Sequence, residues 1–360
     1  MRTIGPAIAL AAAAAVPAAA QVLDPAAGSL EPVAAHVVGR GVAAPGGGML
    51  RQWPGTYFET AFTGPAIWFR VGEGEVNLRV TIDGVAAPLT RPEPGMYRID
   101  ASGMGPHRVR IDVISESQAG PTTLGGFFAT SGTRAVPMPP RARQIELIGD
   151  SHSVGYGNTS PTRECDDAAV WATTDTAQGI GGLLAKRYDA DVQVNAISGR
   201  GVVRNYGGFA GDTLPQAYPF ALFDKGERAA DSEWQPDVFV IALGTNDFTT
   251  PLKAGEQWPD RAALHADVEA RYAEFVNALR AAHPDAFLVL WSTDMADGEI
   301  EAEVRKVAER LKAGGERRIA FVPMRGLTLA GCHAHPSVAD DRVIAGAVAA
   351  AIDAAGIWGE

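Results

Sequence analysis

Four short segments of this chain carry residues able to do acyl-transfer chemistry, and each adjoins a run of apolar residues. Gly149-Asp150-Ser151-His152-Ser153 comes first, then Ser198-Gly199-Arg200-Gly201, then Gly244-Thr245-Asn246-Asp247, and finally Cys332-His333-Ala334-His335-Pro336. Acyl transfer needs such a set. A serine hydroxyl must give its proton to a base, and histidine is the side chain whose pKa sits near neutrality. The oxyanion of the tetrahedral intermediate needs two or three donors already aimed at it, such as an unobstructed glycine N–H and an asparagine amide. Each segment also has an ordinary reading. Gly-Asp-Ser can be a helix cap, Gly199 and Gly201 loop glycines, Asn246 a self-bonding turn residue, and His335 a solvated loop histidine. Four coincidences at four strand ends are harder to dismiss than one.

The elements that would position them form an α/β sheet. Apolar runs at 145–148, 192–197, 238–243, 287–291 and 319–322 suit strands buried on both faces. The stretches 261–282, 300–311 and 338–355 show helical spacing. Strand-helix alternation predicts a five-stranded parallel sheet with right-handed crossovers, whose ligands meet the carboxyl ends of the strands. The chemistry-bearing segments fall on that edge. Ahead of them, residues 58–62, 67–71, 76–83, 96–99 and 109–113 alternate apolar with polar, and Gly and Pro punctuate between them. This predicts an antiparallel β-sandwich over 21–135. A Pro-rich linker follows at 136–143, and the α/β domain runs over 144–360.

Residues 1–20 read as a secretory signal, with Arg2, an apolar run to Val16 and small residues before Gln21. A retained anchor is the alternative, but the run is shorter than the roughly 20 residues that span a bilayer. The mature chain is thus expected to be secreted or periplasmic. Hydrophobic residues make up 46% and charged ones 20%, a globular balance. The net charge of -11 argues against nucleic acid or an anionic membrane as partner and leaves a neutral polysaccharide open. The two cysteines are Cys165, after the serine segment, and Cys332, in the histidine segment. A disulfide between them is expected if both loops meet at the cleft, the alternative being two separate buried thiols.

In this order the segments resemble the Ser, Gly, Asn and His blocks of the SGNH (GDSL) hydrolases. The longer strings narrow the likeness: Gly155-Tyr156-Gly157-Asn158 after Ser151, the run from Ser198 through Tyr206-Gly207-Gly208, and Gly244-Thr245-Asn246-Asp247-Phe248. Together they resemble carbohydrate esterase family 2, acetyl xylan esterases with a jelly-roll domain ahead of a flavodoxin-like α/β SGNH hydrolase domain. The resemblance implies Ser151 as nucleophile, His335 as general base, and an oxyanion hole of the Ser151 N–H, the Gly199 N–H and the Asn246 amide. It implies O-deacetylation of an acetylated polysaccharide or oligosaccharide, without metal or cofactor.

This chain departs from the SGNH pattern at Cys332, where most members place an Asp three residues before the histidine. The family-2 resemblance implies instead a Ser-His dyad with the imidazole oriented by a main-chain carbonyl. That of residue 333 is expected here, with a pKa near the unperturbed value of about 6.5. Where that family commonly has an Asp and an aromatic, this chain has His333 and Ala334. His333 and His335 alone do not make a closed metal site. Asp340 and Asp341 are expected in the first turn of the last helix, Asp150 as a partner for loop amides, and His152 on the cleft rim. Tyr206 is a candidate platform for a sugar ring, or else a core tyrosine anchoring its loop. Two other functions fit the same residues: a general short-chain esterase or thioesterase, and a carbohydrate-binding protein with a decayed hydrolase half.

Overall fold

Strict alternation in Asn77–Ile82 sends Leu78, Val80 and Ile82 to one face, and a sheet forms because neighbouring strands repeat the pattern in register. In the computed structural model, Ile111 lies opposite Phe58 on one side and Val80 on the other. The structure describes residues 30–45, 47–230 and 232–359, so the leader read at 1–20 lies outside the described residues. Two six-stranded antiparallel sheets pack face to face over Phe58, Phe62, Phe69, Leu78, Ile111 and Phe127. Several of their strands escape periodicity. Glu31–Val33, His36–Val38, Gly41–Ala43, Met49–Arg51 and Arg134–Val136 have three residues each. Val85–Thr90 is an edge strand holding Pro88. Thr122–Ala129 shifts register between Leu124 and Phe127, where Gly125 and Gly126 interrupt the alternation.

The second half is the parallel sheet. Its strands are Arg143–Gly149, Ala190–Ala196, Val238–Ala242, Phe287–Thr293 and Ile319–Met324. They lie in the order second, first, third, fourth, fifth, the flavodoxin-like arrangement, with its switch point beside the first strand. Helices Arg261–Ala282 and Glu299–Ala313 cover one face. Ile180–Tyr188 and Val338–Ala355 cover the other. The helix Ile180–Tyr188 is hidden in the sequence because Gly179, Gly181 and Gly182 dilute its first turn.

The halves meet over a built interface. Trp53 of the sandwich belongs to the α/β core, and its indole N–H donates to the Phe220 carbonyl at 3.0 Å. Arg141 sits in the stretch between the last sandwich strand and the first parallel strand, and its guanidinium pairs with both Glu59 and Asp191 at 2.9 Å.

Candidate active site

The first parallel strand ends at Gly149, and the chain turns at once into the short helix Ser151–Val154. Asp150 is its N-cap, in extended conformation, and its carboxylate accepts the His152 N–H at 3.1 Å. Ser151 therefore stands at the carboxyl edge of the sheet, on the wall of a cleft of about 430 Å³. Its Oγ–H faces Nε2 of His335 at 2.8 Å.

The other ring nitrogen of His335, Nδ1–H, donates to the Cys332 carbonyl at 2.9 Å. This corrects the expectation that residue 333 supplies the acceptor. His333 and Ala334 both take left-handed φ values, 53° and 59°, so the turn folds back on itself. The Cys332 carbonyl then meets the main-chain N–H of His335 as well, at 3.1 Å. With Nδ1 protonated, Nε2 is the free lone pair, the tautomer a base requires. The pKa also departs from expectation. Burial pushes the His335 imidazole down to about 4, against a smaller upward pull from the carbonyls of Cys332 and His333.

Two further groups hold this histidine. The Tyr156 ring packs on it, centroids 4.3 Å apart, and the Tyr156 hydroxyl bonds Nδ1 of His333 at 3.1 Å. Nε2–H of His333 donates to the Cys165 carbonyl at 2.7 Å. His333 thus gives both nitrogens to the protein. Among the described residues, no group of three or more His, Cys, Asp or Glu could hold a metal ion. Cys165 and Cys332 are joined in a disulfide that ties the loop after Ser151 to the histidine loop. Gly157 is needed beneath it, because a Cβ there would lie 2.4 Å from that of Cys332.

Across the cleft, Gly199 has φ 82°, a left-handed conformation that glycine takes without cost. Its carbonyl accepts the Tyr206 N–H at 2.9 Å, so the main chain of Tyr206 fixes this peptide while the tyrosine ring, 55% exposed, lines the cleft. That exposure removes the core-tyrosine alternative. Among the described residues, neither the Ser151 N–H nor the Gly199 N–H has a protein acceptor. The Asn246 amide lies at the cleft with both hydrogens engaged, donating to the Arg200 carbonyl at 2.9 Å and to Asp150 Oδ2 at 3.2 Å. Burial raises the Asp150 carboxyl to about 7, while the N–H of His152 and other donors pull it down.

Several functional partners were not read from the sequence. Asp247, fully buried, accepts the N–H groups of Val202, Val203 and Arg204, each at 2.9 Å, and so fixes the loop that follows Gly199. Its place beside Asn246 was the available signal. Tyr156 was visible only as a letter in Gly-Tyr-Gly-Asn. His152 is not a rim residue. It is 3% exposed and stacks on Trp291 of the fourth strand, because the residue after Ser151 turns inward at the start of the helix. Burial lowers its pKa to about 3, so it is neutral beside His335. Asp340 and Asp341 lie in the first turn of the last helix. Asp340 caps it through Ser337, and Asp341 accepts from Asn158 Nδ2 at 3.0 Å.

A two-sheet sandwich leading into a 2-1-3-4-5 parallel sheet, with Ser, Gly, Asn and His gathered at its carboxyl edge, defines a GDSL-type hydrolase with an accessory domain. The family models agree: "Carbohydrate esterase 2 N-terminal" matches residues 37–139 and "GDSL-like Lipase/Acylhydrolase family" residues 147–343. A curated relative, the acetylxylan esterase / glucomannan deacetylase of Cellvibrio japonicus, is 40% identical over 327 residues, covering 89% of this chain and 91% of that protein. Among solved structures, a carbohydrate esterase whose active site displays divergent catalytic and non-catalytic binding functions matches with TM-score 0.86. It is 37% identical, with 91% of this chain and 100% of that one covered. A family two carbohydrate esterase from Cellvibrio japonicus matches with TM-score 0.80 and 25% identity, over 92% of this chain and 99% of that one. The chain belongs to carbohydrate esterase family 2, and so among the carboxylic ester hydrolases.

Proposed function

We propose that this chain removes O-acetyl groups from acetylated hemicellulose or oligosaccharides through an acyl-enzyme on Ser151. The observation that carries this reading is one imidazole with Nε2 at 2.8 Å from Ser151 Oγ and Nδ1 at 2.9 Å from the Cys332 carbonyl. His335 takes the hydroxyl proton as Oγ bonds the acetyl carbon. The oxyanion is received by the N–H groups of Ser151 and Gly199 and by the Asn246 amide, which exchanges its longer bond to Asp150 for the new acceptor. Imidazolium then protonates the departing sugar oxygen and leaves acetyl-Ser151. Water, deprotonated by the same nitrogen, releases acetate. The relative's activity on acetylated xylan and glucomannan supports the substrate class. The exposed Tyr206 ring offers a face for the apolar side of a pyranose. The basic-then-apolar start of the sequence and the Cys165–Cys332 disulfide support a secreted or periplasmic setting.

The test is acetate release from acetylated xylan, glucomannan and monosaccharides, with an aryl acetate alongside. Wild type should turn over all of them and Ser151→Ala none, while circular dichroism shows the variant folded. Tyr206→Ala should weaken the saccharide esters far more than the aryl acetate. Activity retained by Ser151→Ala would move the nucleophile elsewhere, and activity on the aryl acetate alone would favour a general short-chain esterase.

A further inference from the structure

Glu116 lies at the end of the sandwich, just after the strand Pro106–Val113, and its side chain crosses to the other domain. One carboxylate oxygen accepts the Ser198 N–H at 2.9 Å, and the other accepts the Ser198 hydroxyl at 2.5 Å. Gln118 completes the grip from the same turn, its amide donating to the Ser198 carbonyl at 3.3 Å and to Glu116 Oε1 at 3.3 Å. Every polar group of Ser198 is therefore held by the sandwich domain. The carbonyl that Gln118 meets belongs to the peptide whose N–H is that of Gly199. We infer that Glu116 is a positioning residue of the accessory domain, holding Ser198 together with Gln118 so that the N–H of the next peptide, that of Gly199, points at the developing oxyanion.

Among the described residues, no group of the α/β domain bonds Ser198 itself. The Gly199 carbonyl is fixed by the Tyr206 N–H, the loop from 202 to 204 by Asp247, and Ile197 by the Gly149 carbonyl and the Arg200 N–H, so the α/β domain holds the chain on either side while the sandwich holds Ser198 between. Gly199 has the backbone freedom of a left-handed glycine and needs an outside restraint to keep one orientation. The sandwich then contributes to chemistry on every ester, whether or not it touches sugar. The inference rests on the reading of Gly199 as an oxyanion donor.

A donor displaced by an ångström or less loses much of its effect on the transition state and little on ground-state binding. Glu116→Ala should lower kcat about tenfold to a hundredfold on aryl acetate and acetylated sugar alike, with KM nearly unchanged. Glu116→Gln keeps an acceptor for the Ser198 N–H and offers its amide to the hydroxyl, and should recover most of kcat. Ser198→Ala removes the hydroxyl arm from the other side and should lower kcat in the same way. Its effect should not add to that of Glu116→Ala, since both break one clamp. Should Glu116→Ala fail to fold, the Gln and Ser198 variants still decide. Wild-type kcat in a folded Glu116→Ala or in Ser198→Ala, or a loss confined to KM for saccharides, would overturn the clamp. Full activity in Ser151→Ala, measured in parallel, would instead overturn the functional reading beneath it.

Discussion

His335 is held at both nitrogens, and its surroundings decide the pH at which it can work. A base is active when neutral, so the rate climbs with pH through the pKa of the free enzyme. A solvated imidazole would place that climb near 6.5. Burial has moved it to about 4, because the charged form is the one that loses water. The rising limb of kcat/KM should therefore fall near pH 4, with a plateau already reached at pH 6. Stopped assays between pH 3.5 and 8 on protein held at each pH and returned to neutrality separate this from acid unfolding. A midpoint at 6.5 would mean that the imidazole is solvated in the working enzyme. The two carboxylates in the first turn of the last helix are engaged elsewhere, Asp341 with Asn158 and Asp340 with Ser337 and Thr328. Asp341→Asn should consequently be mild for activity. Its effect belongs to stability. Burial raises its carboxyl to about 8, far above the unfolded value, so its contribution is complete at low pH and is lost as pH rises through 8. The Asn variant should lose less stability than wild type between pH 5 and 8 in urea titrations.

The elements around the site differ in how far their sequence reveals them. The five parallel strands and the long helices Arg261–Ala282 and Val338–Ala355 are legible because burial on both faces, or a 3.6-residue repeat, leaves an apolar pattern. Ser151, Asn246 and His335 were legible because each adjoins such an element. Glu116 was not, since its partner is 82 residues away and no local pattern encodes a tertiary contact. The acceptor for His335 was misplaced by one residue because the left-handed pair His333-Ala334 is not what those residue types suggest. The histidine loop itself is held by more than its turn. The disulfide spans a sequence separation of 167, for which chain entropy gives an upper figure of about 5 kcal/mol. The His333 N–H also donates to the Arg163 carbonyl at 2.7 Å, a second strap between the same loops. Because Cys332 supplies the carbonyl that orients His335, Cys165→Ser should lower the thermal midpoint and reduce kcat more than it raises KM. Thiol titration of denatured, unreduced wild type should find no free thiol. Two would reject the pairing, and an unchanged kcat in Cys165→Ser would separate the bond from catalysis.

At the scale of the molecule, the sandwich and the α/β domain share buried charge as well as Trp53. Asp191, on the second parallel strand, accepts from His36 Nε2 at 2.8 Å, from the Tyr57 hydroxyl, and from Arg141 at 2.9 Å, so that three groups from outside its own sheet converge on one carboxylate. Glu59, on the sandwich side, is paired with Arg141 at 2.9 Å and Arg108 at 2.5 Å. Burial works to raise both carboxyls, but these donors outweigh it and hold each below the ordinary carboxylate range. A carboxyl with a depressed folded-state pKa contributes stability above its unfolded value, about 4, and that contribution disappears as pH falls through the folded value. Below pH 4 the two halves should therefore part company from the charge network outward, while near neutrality they unfold as one unit. Thermal unfolding at pH 7 should show a single transition by both tryptophan fluorescence and far-ultraviolet circular dichroism. Asp191→Asn cannot ionise and leaves Arg141 short of one partner, so it should be less stable than wild type at pH 7. As pH is lowered from 4 to 2.5 the difference should shrink, because the wild-type carboxyl is then losing its charge as well. If the two proteins instead lose stability in parallel over that range, the shared carboxylate does not hold the domains together, and the apolar contact around Trp53 carries the interface alone.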